Sequence, residues 1–363
     1  MGDGDRPVTI SHVARAAGVS VGTISNYLNR PDLVAESTRA RIEAAIAQLG
    51  WMPNVAVRAL RRGQSALVGL VLSDLSNPFF TDVAQGVEQA ASEAGLTVIL
   101  CNSDNSPKRE EQHLATLGEY RAAGILITPV GAVPAEHYVE LLRRLGSKLV
   151  LLARPGRRGG MQIPWVGVDD VHGGRVVGEH LLATGRERVC FVHGPTHTND
   201  HSPERLEGLR LAWEARGLPA DWISSLEAQG LHLHDGVEAG RRLISALPGP
   251  TAVFAANDLL AVGVLQALHE VGVRVPDDVA LVGYDDLELA HVVSPPLTSV
   301  RQPRVEVGRS AVRLLLSALT EAPADHAEII FTPQLIVRGS TARRGVAGPE
   351  SRGSGRRGSR QSG

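Results

Sequence analysis

Apolar spacing divides the chain into two textures. The opening stretch, VTISHVARAAGVSVGTISNYLNR from Val8 to Arg30, carries a helical period. Val13, Ala16 and Ala17 share one face of a first short helix, and Gly18 ends it where a left-handed residue is expected. Ser20 stands as N-cap of a second helix over about Val21–Leu28, with Val21, Ile24 and Leu28 at 3–4 spacing. Helix, Gly-containing turn and helix form the helix-turn-helix pattern. The other face of the second helix holds Gly22, Ser25, Asn26 and Asn29, side chains that suit reading base edges in a major groove. A third amphipathic helix, Thr38–Leu49, has Ile42, Ala45, Ile46 and Leu49 on one stripe and Gly50 at its end.

From Ala66 the period changes. Near-continuous apolar runs (ALVGLVLS, LTVILCN, GILITPV, KLVLLA, WVGVDD, RVCFVHGP, TAVFAAND, VALVGYDD) alternate with helical patterns. The helices fall at 79–94, 107–122, 134–145, 172–183, 203–216, 237–247, 259–271 and 305–319, and EIIFTPQLIVRGST supplies a last strand. Such strands joined by helices mean parallel sheets covered on both faces. There are too many units for one ordinary sheet, so the expected fold is an all-α N-terminal domain followed by an α/β core of two doubly wound lobes. The expected boundaries are a headpiece at 1–53, a hinge at 54–65, and a core at 66–341. Lobe 1 is placed at about 66–164 and 296–330, lobe 2 at about 165–295 and 331–341. Residues 342–363, rich in Gly, Ser and Arg, read as a disordered basic tail.

Charge sharpens the N-terminal reading. The whole chain is near neutral at −2, but residues 1–65 hold eight Arg against five Asp and Glu. Arg58, Arg61 and Arg62 cluster around Leu60 in a short segment capped by Asn54. Beside a helix-turn-helix, that segment reads as a hinge that folds on DNA, with Leu60 wedged into a base step from the minor groove. Cys101 and Cys190 sit in apolar runs and read as buried thiols rather than a disulfide pair, which fits a reducing cytoplasm. The N-terminus lacks a secretory pattern, and no apolar run reaches the ~18 residues of a membrane span. The one G-x-S-x-G string, Gly18–Gly22, lies in the helix-turn-helix and not at a strand-to-helix turn, no P-loop occurs, and no catalytic role is expected. His232 and His234, like His193 and His197, invite a metal reading, but no further ligands accompany them and neither metal nor cofactor is expected.

Together these residues resemble the lactose/galactose-repressor (LacI/GalR) family of bacterial transcription factors. The matching pieces occur in family order: the Val8–Asn29 stretch, the Pro53, Asn54, Ala59, Leu60, Arg61 hinge, DLSNPFF at Asp74–Phe80, Glu204–Gly208, AND at Ala256–Asp258, GYDD at Gly283–Asp286, and PPLTSVRQP at Pro295–Pro303. The resemblance implies a cytoplasmic, nucleoid-associated homodimer on a pseudopalindromic double-stranded operator, with a core like periplasmic sugar-binding proteins. It places Val21, Gly22 and Asn26 where bases are read. Thr9, Ser11, Ser20, Thr23, Ser25 and Asn29 meet phosphate or position the helix, and Asn54, Arg58, Ala59 and Leu60 form the hinge contact. Gly22 has no side chain to read a base, so specificity leans on Val21 and Asn26.

For a small sugar-like effector the resemblance marks Asn77, Phe79, Phe80, Thr128, Arg154, Arg205, Leu231, Asn257, Asp285 and Gln302. Most of these follow the carboxyl ends of strands, where ligands bind in doubly wound sheets. Two positions depart from the family: Leu231 replaces a frequent aromatic, and Ala153–Arg154 replaces a frequent acid. A less sugar-like ligand, or one with a negative group, therefore stays open. The expected mechanism is allosteric: an effector between the lobes stabilises or melts the paired hinges. The alternative is a solute-binding protein or enzyme on the same fold.

Overall fold

The computed structural model describes residues 8–51, 66–131, 140, 146–152, 163–195, 201–245, 249–320 and 328–342. The hinge residues Asn54, Arg58, Ala59 and Leu60, the helix expected at 134–145 save residue 140, Arg154, His197 and the tail from Arg343 lie outside them. The chain forms two compact units, 1–65 and 66–363.

The first unit holds helices α1 (Ile10–Ala17), α2 (Val21–Asn29) and α3 (Glu36–Leu49). Gly18 at φ +64° turns the chain after α1, and the Val19 amide donates back to the Ala14 carbonyl at 3.0 Å. Ser20 caps α2 by accepting from the Thr23 amide at 3.0 Å. Val13, Ala14, Ala17, Ile24, Val34, Ile42, Ala45 and Trp51 make a small core. The buried face of α1 therefore contains Ala14, whereas Ala16, expected inside, is exposed. Inward positions at 13, 14 and 17 follow the i, i+1, i+4 stripe of a helix seated between two others.

The second unit contains two six-stranded sheets. The first is built from β1 (Leu67–Leu72), β2 (Thr97–Asn102), β3 (Gly124–Ile127), β4 (Lys148–Leu151), β5 (Trp165–Val168) and β11 (Glu328–Phe331), in the order β11-β5-β4-β3-β1-β2. Its helices are α4 (Pro78–Glu93), α5 (Pro107–Glu119) and α11 (Arg304–Leu319). The second sheet holds β6 (Val189–His193), β7 (Ile223–Glu227), β8 (Ala252–Ala255), β9 (Ala280–Asp285), β10 (Thr298–Arg301) and β12 (Gln334–Ile336), in the order β12-β10-β9-β8-β6-β7. With it go α6 (Asp170–Ala183), α7 (Ser202–Glu214), α8 (Leu233–Ile244), α9 (Asp258–Glu270) and the short α10 (Glu288–Val292). All pairings are parallel except that of β10 with β12.

Several expectations need correction. Trp165–Val168 belongs to lobe 1, not lobe 2, because β5 pairs with β4 and β11. Thr298–Arg301 belongs to lobe 2, not lobe 1, because β10 pairs in register with β9. The final apolar run is two strands, broken at Thr332–Pro333, one in each sheet. Helix α8 begins at Leu233, four residues before the expected Val237, because Asp235 accepts from the His232 amide at 3.0 Å and seals its first turn. Cys190 is buried, but Cys101 on the edge strand β2 is only half-buried; both are free.

The chain thus passes between the lobes three times: from β5 to α6, from β10 to α11, and from β11 to β12. The first and third passages touch, the Asp169 amide donating to the Phe331 carbonyl at 2.9 Å.

Candidate effector cleft and nucleic-acid interface

Parallel strands end at one edge of each sheet, and the loops leaving them face across a cleft. The space between them, open solvent at its mouth included, is about 890 Å³. Nine of the ten expected effector positions line it: Asn77, Phe79, Phe80, Thr128, Arg205, Leu231, Asn257, Asp285 and Gln302. Asp74, Asp170 and His201 line it as well and were not singled out from the sequence.

On the lobe 1 side, Asn77 caps α4, its Oδ1 accepting from the Phe79 amide at 2.9 Å. Pro78 occupies the first helical position, where a missing amide hydrogen does no harm. That cap presents the edge-to-face pair Phe79–Phe80, ring centroids 5.1 Å apart, to the cavity. Thr128, just beyond β3, accepts from the Ser73 amide at 2.8 Å through its hydroxyl and so ties the ends of β1 and β3 together.

On the lobe 2 side, α6 and α7 pack backbone to backbone. A Cβ on Gly174 would stand 1.9 Å from the Arg205 carbonyl oxygen, so only glycine permits the approach. The approach brings Asp170, at the start of α6, against Arg205 on α7, with Nε donating to Oδ1 at 2.9 Å. Arg205 also donates to the Ala256 carbonyl and lies over the Tyr284 ring at 3.7 Å. Burial opposes its charge, but Asp170, Tyr284 and Asp285 outweigh burial, and its pKa is raised. His201 precedes α7 in a left-handed conformation, φ +56°, with Nδ1 3.8 Å from Asp170 Oδ2.

Asp285 ends β9 with φ +106°, followed by Asp286 at φ +53°. Two consecutive non-glycine residues at positive φ are strained, and surrounding bonds hold them. Arg304 donates through Nη1 to the Asp285 and Asp286 carbonyls and through Nε to Asp82 at 2.7 Å. The Asp286 carboxylate takes Arg301 at 2.7 Å and Arg338 at 2.5 Å. Gln302 donates to Asp285 Oδ1 at 2.7 Å. Burial pushes the Asp285 pKa up to about 6 against the pull of Arg205, Arg304 and Gln302. Behind it Asp258 is fully buried, accepting from Ser299 Oγ at 2.6 Å and the Leu287 amide at 2.7 Å. Burial and the neighbouring Asp285 raise its pKa well above the ordinary carboxylate range.

Asn257 has a structural role at the cavity wall. Its Oδ1 caps α9 through the Leu260 amide at 2.8 Å, and its Nδ2 donates to the Leu231 carbonyl at 2.9 Å. It thereby fixes the loop that carries Leu231. His232 and His234 stack ring to ring at 5.6 Å rather than converging on a point. Among the described residues no cluster of three or more metal-ligating side chains occurs.

In the first unit, Val21 is 39% exposed, and Gly22 and Asn26 are exposed with it on one face of α2. Ile24 is fully buried on the opposite face. Ser20 Oγ and Thr23 Oγ1 lie 2.9 Å apart, so these two side chains are engaged with each other and with the helix start. Thr9 and Ser11 are exposed at the start of α1, where the Thr9 amide donates to His12 Nδ1 at 3.2 Å. A Cβ on Gly22 would meet only Ser20 Oγ, at an ordinary 3.5 Å.

A helical reader followed by two doubly wound lobes closing on a polar cavity defines a DNA-binding transcriptional regulator controlled by a small effector. Comparison with known proteins agrees. Residues 9–54 match the bacterial regulatory proteins of the lacI family, and residues 179–341 match the periplasmic binding protein-like domain. The ribose operon repressor of Escherichia coli (strain K12) is 33% identical over 341 residues, covering 92% of this chain and 99% of that protein. The chain belongs to the lacI family. The structure of the Lac repressor dimer bound to operator and the anti-inducer ONPF superposes with a TM-score of 0.81 at 26% identity, covering 93% of this chain and 99% of that one. A LacI family transcriptional regulator from Enterococcus faecium with bound ribose gives 0.68 at 29% identity, covering 76% and 98%. No helix among the described residues is long and apolar enough to cross a membrane.

Proposed function

We propose that this regulator is a repressor that binds a pseudopalindromic operator as a homodimer and responds to an uncharged, hydroxyl-rich solute of sugar class. The observation that carries the effector class is the state of Arg205. Its guanidinium is held by Asp170 and the Ala256 carbonyl, while the lining also presents Asp74 and Asp285. Among the described lining residues carboxylates thus outnumber the available cation, and carboxylates accept from paired hydroxyls rather than from anions. Phe79, Phe80 and Leu231 supply the apolar walls for the carbon face of such a ligand. The ribose named for the Enterococcus faecium structure and for the Escherichia coli repressor supports the same class.

On the DNA side Val21 and Asn26 read bases, Asn by a bidentate contact to adenine and Val against a thymine methyl. Gly22 lies between them as a gap. Thr9, Ser11, Ser20, Thr23, Ser25 and Asn29 set the register on phosphate, and Asn54, Arg58, Ala59 and Leu60 form the minor-groove hinge. The protein works in the cytoplasm, on the nucleoid, as a regulator and not as a catalyst. The test is a mobility-shift titration of the protein on the DNA upstream of its own coding region, with and without D-ribose and D-ribose 5-phosphate. Specific binding altered by a neutral sugar and not by the phosphate is expected. Specific binding altered only by the phosphate overturns the uncharged class, and no specific binding overturns the operator reading.

A further inference from the structure

The rim of the cleft carries a contact between the two lobes that shares Asp74 with the effector lining. The loop after β1 belongs to lobe 1, and there Asp74 Oδ1 accepts from the Ser76 amide at 2.9 Å and from Ser76 Oγ at 2.7 Å. The loop before α8 belongs to lobe 2, and it brings His232 Nδ1 to 3.3 Å from Ser76 Oγ and 3.7 Å from Asp74 Oδ2. Ser76 has one hydroxyl proton and gives it to Asp74, so Ser76 Oγ accepts from His232 and Nδ1 carries hydrogen. The contact flanks the ligand space directly, because Asp74 and Leu231 both line the cavity.

We propose that His232 is a proton-operated clasp between the lobes, which closes the cleft when protonated and makes effector binding take up a proton. This rests on the effector reading above. A neutral ring gives one hydrogen bond across the gap. A charged ring adds attraction to Asp74, whose carboxylate is nine-tenths buried and therefore poorly screened by water. The ionisable groups facing His232 are Asp74 across the cleft, His234 stacked at 5.6 Å and Asp235, which accepts from its amide at 3.0 Å. Histidine ordinarily titrates near about 6.5. The sign follows: closure is favoured as pH falls, and effector and proton each tighten binding of the other.

The experiment measures closure without requiring a ligand. Spin labels go on E119C and R210C, exposed positions on α5 and α7, in a C101S/C190A background of the full chain. Labelled protein is mixed with excess unlabelled protein, so that each dimer carries at most one labelled protomer. Pulsed dipolar spectroscopy then reads the lobe separation at pH 5.5 and 8.0. A histidine–carboxylate pair whose ring is still about one-third open to water supports a shift of about two- to five-fold in the ratio of short to long distances. H232Q should lose that shift, and H232R should stay closed at both pH values. An H232Q profile matching the parent overturns the clasp. Asp285 titrates in the same range, so variants are compared with one another at each pH. D-ribose titrations of the same proteins separate the two readings. A pH-dependent distance with no ribose response sinks the ribose reading and leaves the clasp; a ribose response with no pH dependence does the reverse.

Discussion

Asp285 is held ionised against its surroundings, and Asp285→Asn should make the unliganded protein more stable while removing its response to effector. Burial lifts the carboxyl from 3.8 to about 6. That rise corresponds to about 3 kcal/mol held against the charged form above pH 6. The sign is set by proton counts. Between pH 4 and 6 the folded protein binds more protons at this group than the unfolded chain, so stability falls as pH rises through that window and the deficit is complete above it. Asn keeps the Oδ1 that accepts from Gln302 and tolerates positive φ, so the backbone at +106° survives. It also removes the charge that disfavours ionisation of Asp258. Differential scanning calorimetry of both proteins at pH 5.0 and 8.0 tests this. The variant should melt on the order of 5 °C higher at pH 8.0. Its advantage should shrink by about 1–2 kcal/mol at pH 5.0, where the parent carboxyl is already mostly protonated. An advantage that does not change with pH, or a variant less stable at pH 8.0, would refute the account of Asp285 as a strained, functional charge.

Gly174→Ala should destabilise lobe 2 by about 1–3 kcal/mol or more, seen as a fall in Tm, because the new methyl meets a backbone carbonyl 1.9 Å away that cannot swing aside. Gly22→Ala should act oppositely on two readouts. Helix propensity predicts a headpiece more stable by up to about 1 kcal/mol, since the methyl meets nothing closer than 3.5 Å. Binding-site selection should show changed operator preference; unchanged preference would remove Gly22 from the interface. Asn26→Ala should cost about 1–3 kcal/mol on the preferred operator and little on random DNA, measured by competition mobility shift. Leu60→Ala should weaken specific binding far more than non-specific binding, and equal losses would reject the wedge role.

Much of this molecule is legible in its sequence, and the gaps have physical causes. Strands buried on both faces read as unbroken apolar runs, as in LVGLVL and ALVGYD. Edge strands need not, although LTVILCN at the edge of the first sheet does. ISSLE at 223–227 is half-exposed at the margin of its sheet and has too few apolar residues to register. Thr298–Arg301 has four residues between two proline-bearing turns, and only its ladders with β9 and β12 identify it. Expected lobe boundaries failed at these passages, because local pattern carries no record of which sheet a strand joins. At the cleft, Asn77, Arg205 and Asp285 follow from their places after strands and at a helix start. Asp170 lies in the same double-Asp signal as Asp285 (WVGVDD beside GYDD), and the parallel was available. His201 depends on a left-handed turn that a histidine does not advertise.

The order of the strands also bears on how the protein is made. Lobe 1 is incomplete until β11 and α11 exist, yet both are encoded after nearly all of lobe 2. Translation at about 5–20 residues per second leaves tens of seconds between the emergence of α3 and that of α11. For that interval a ribosome carries the helices of the DNA reader without a completed effector cleft.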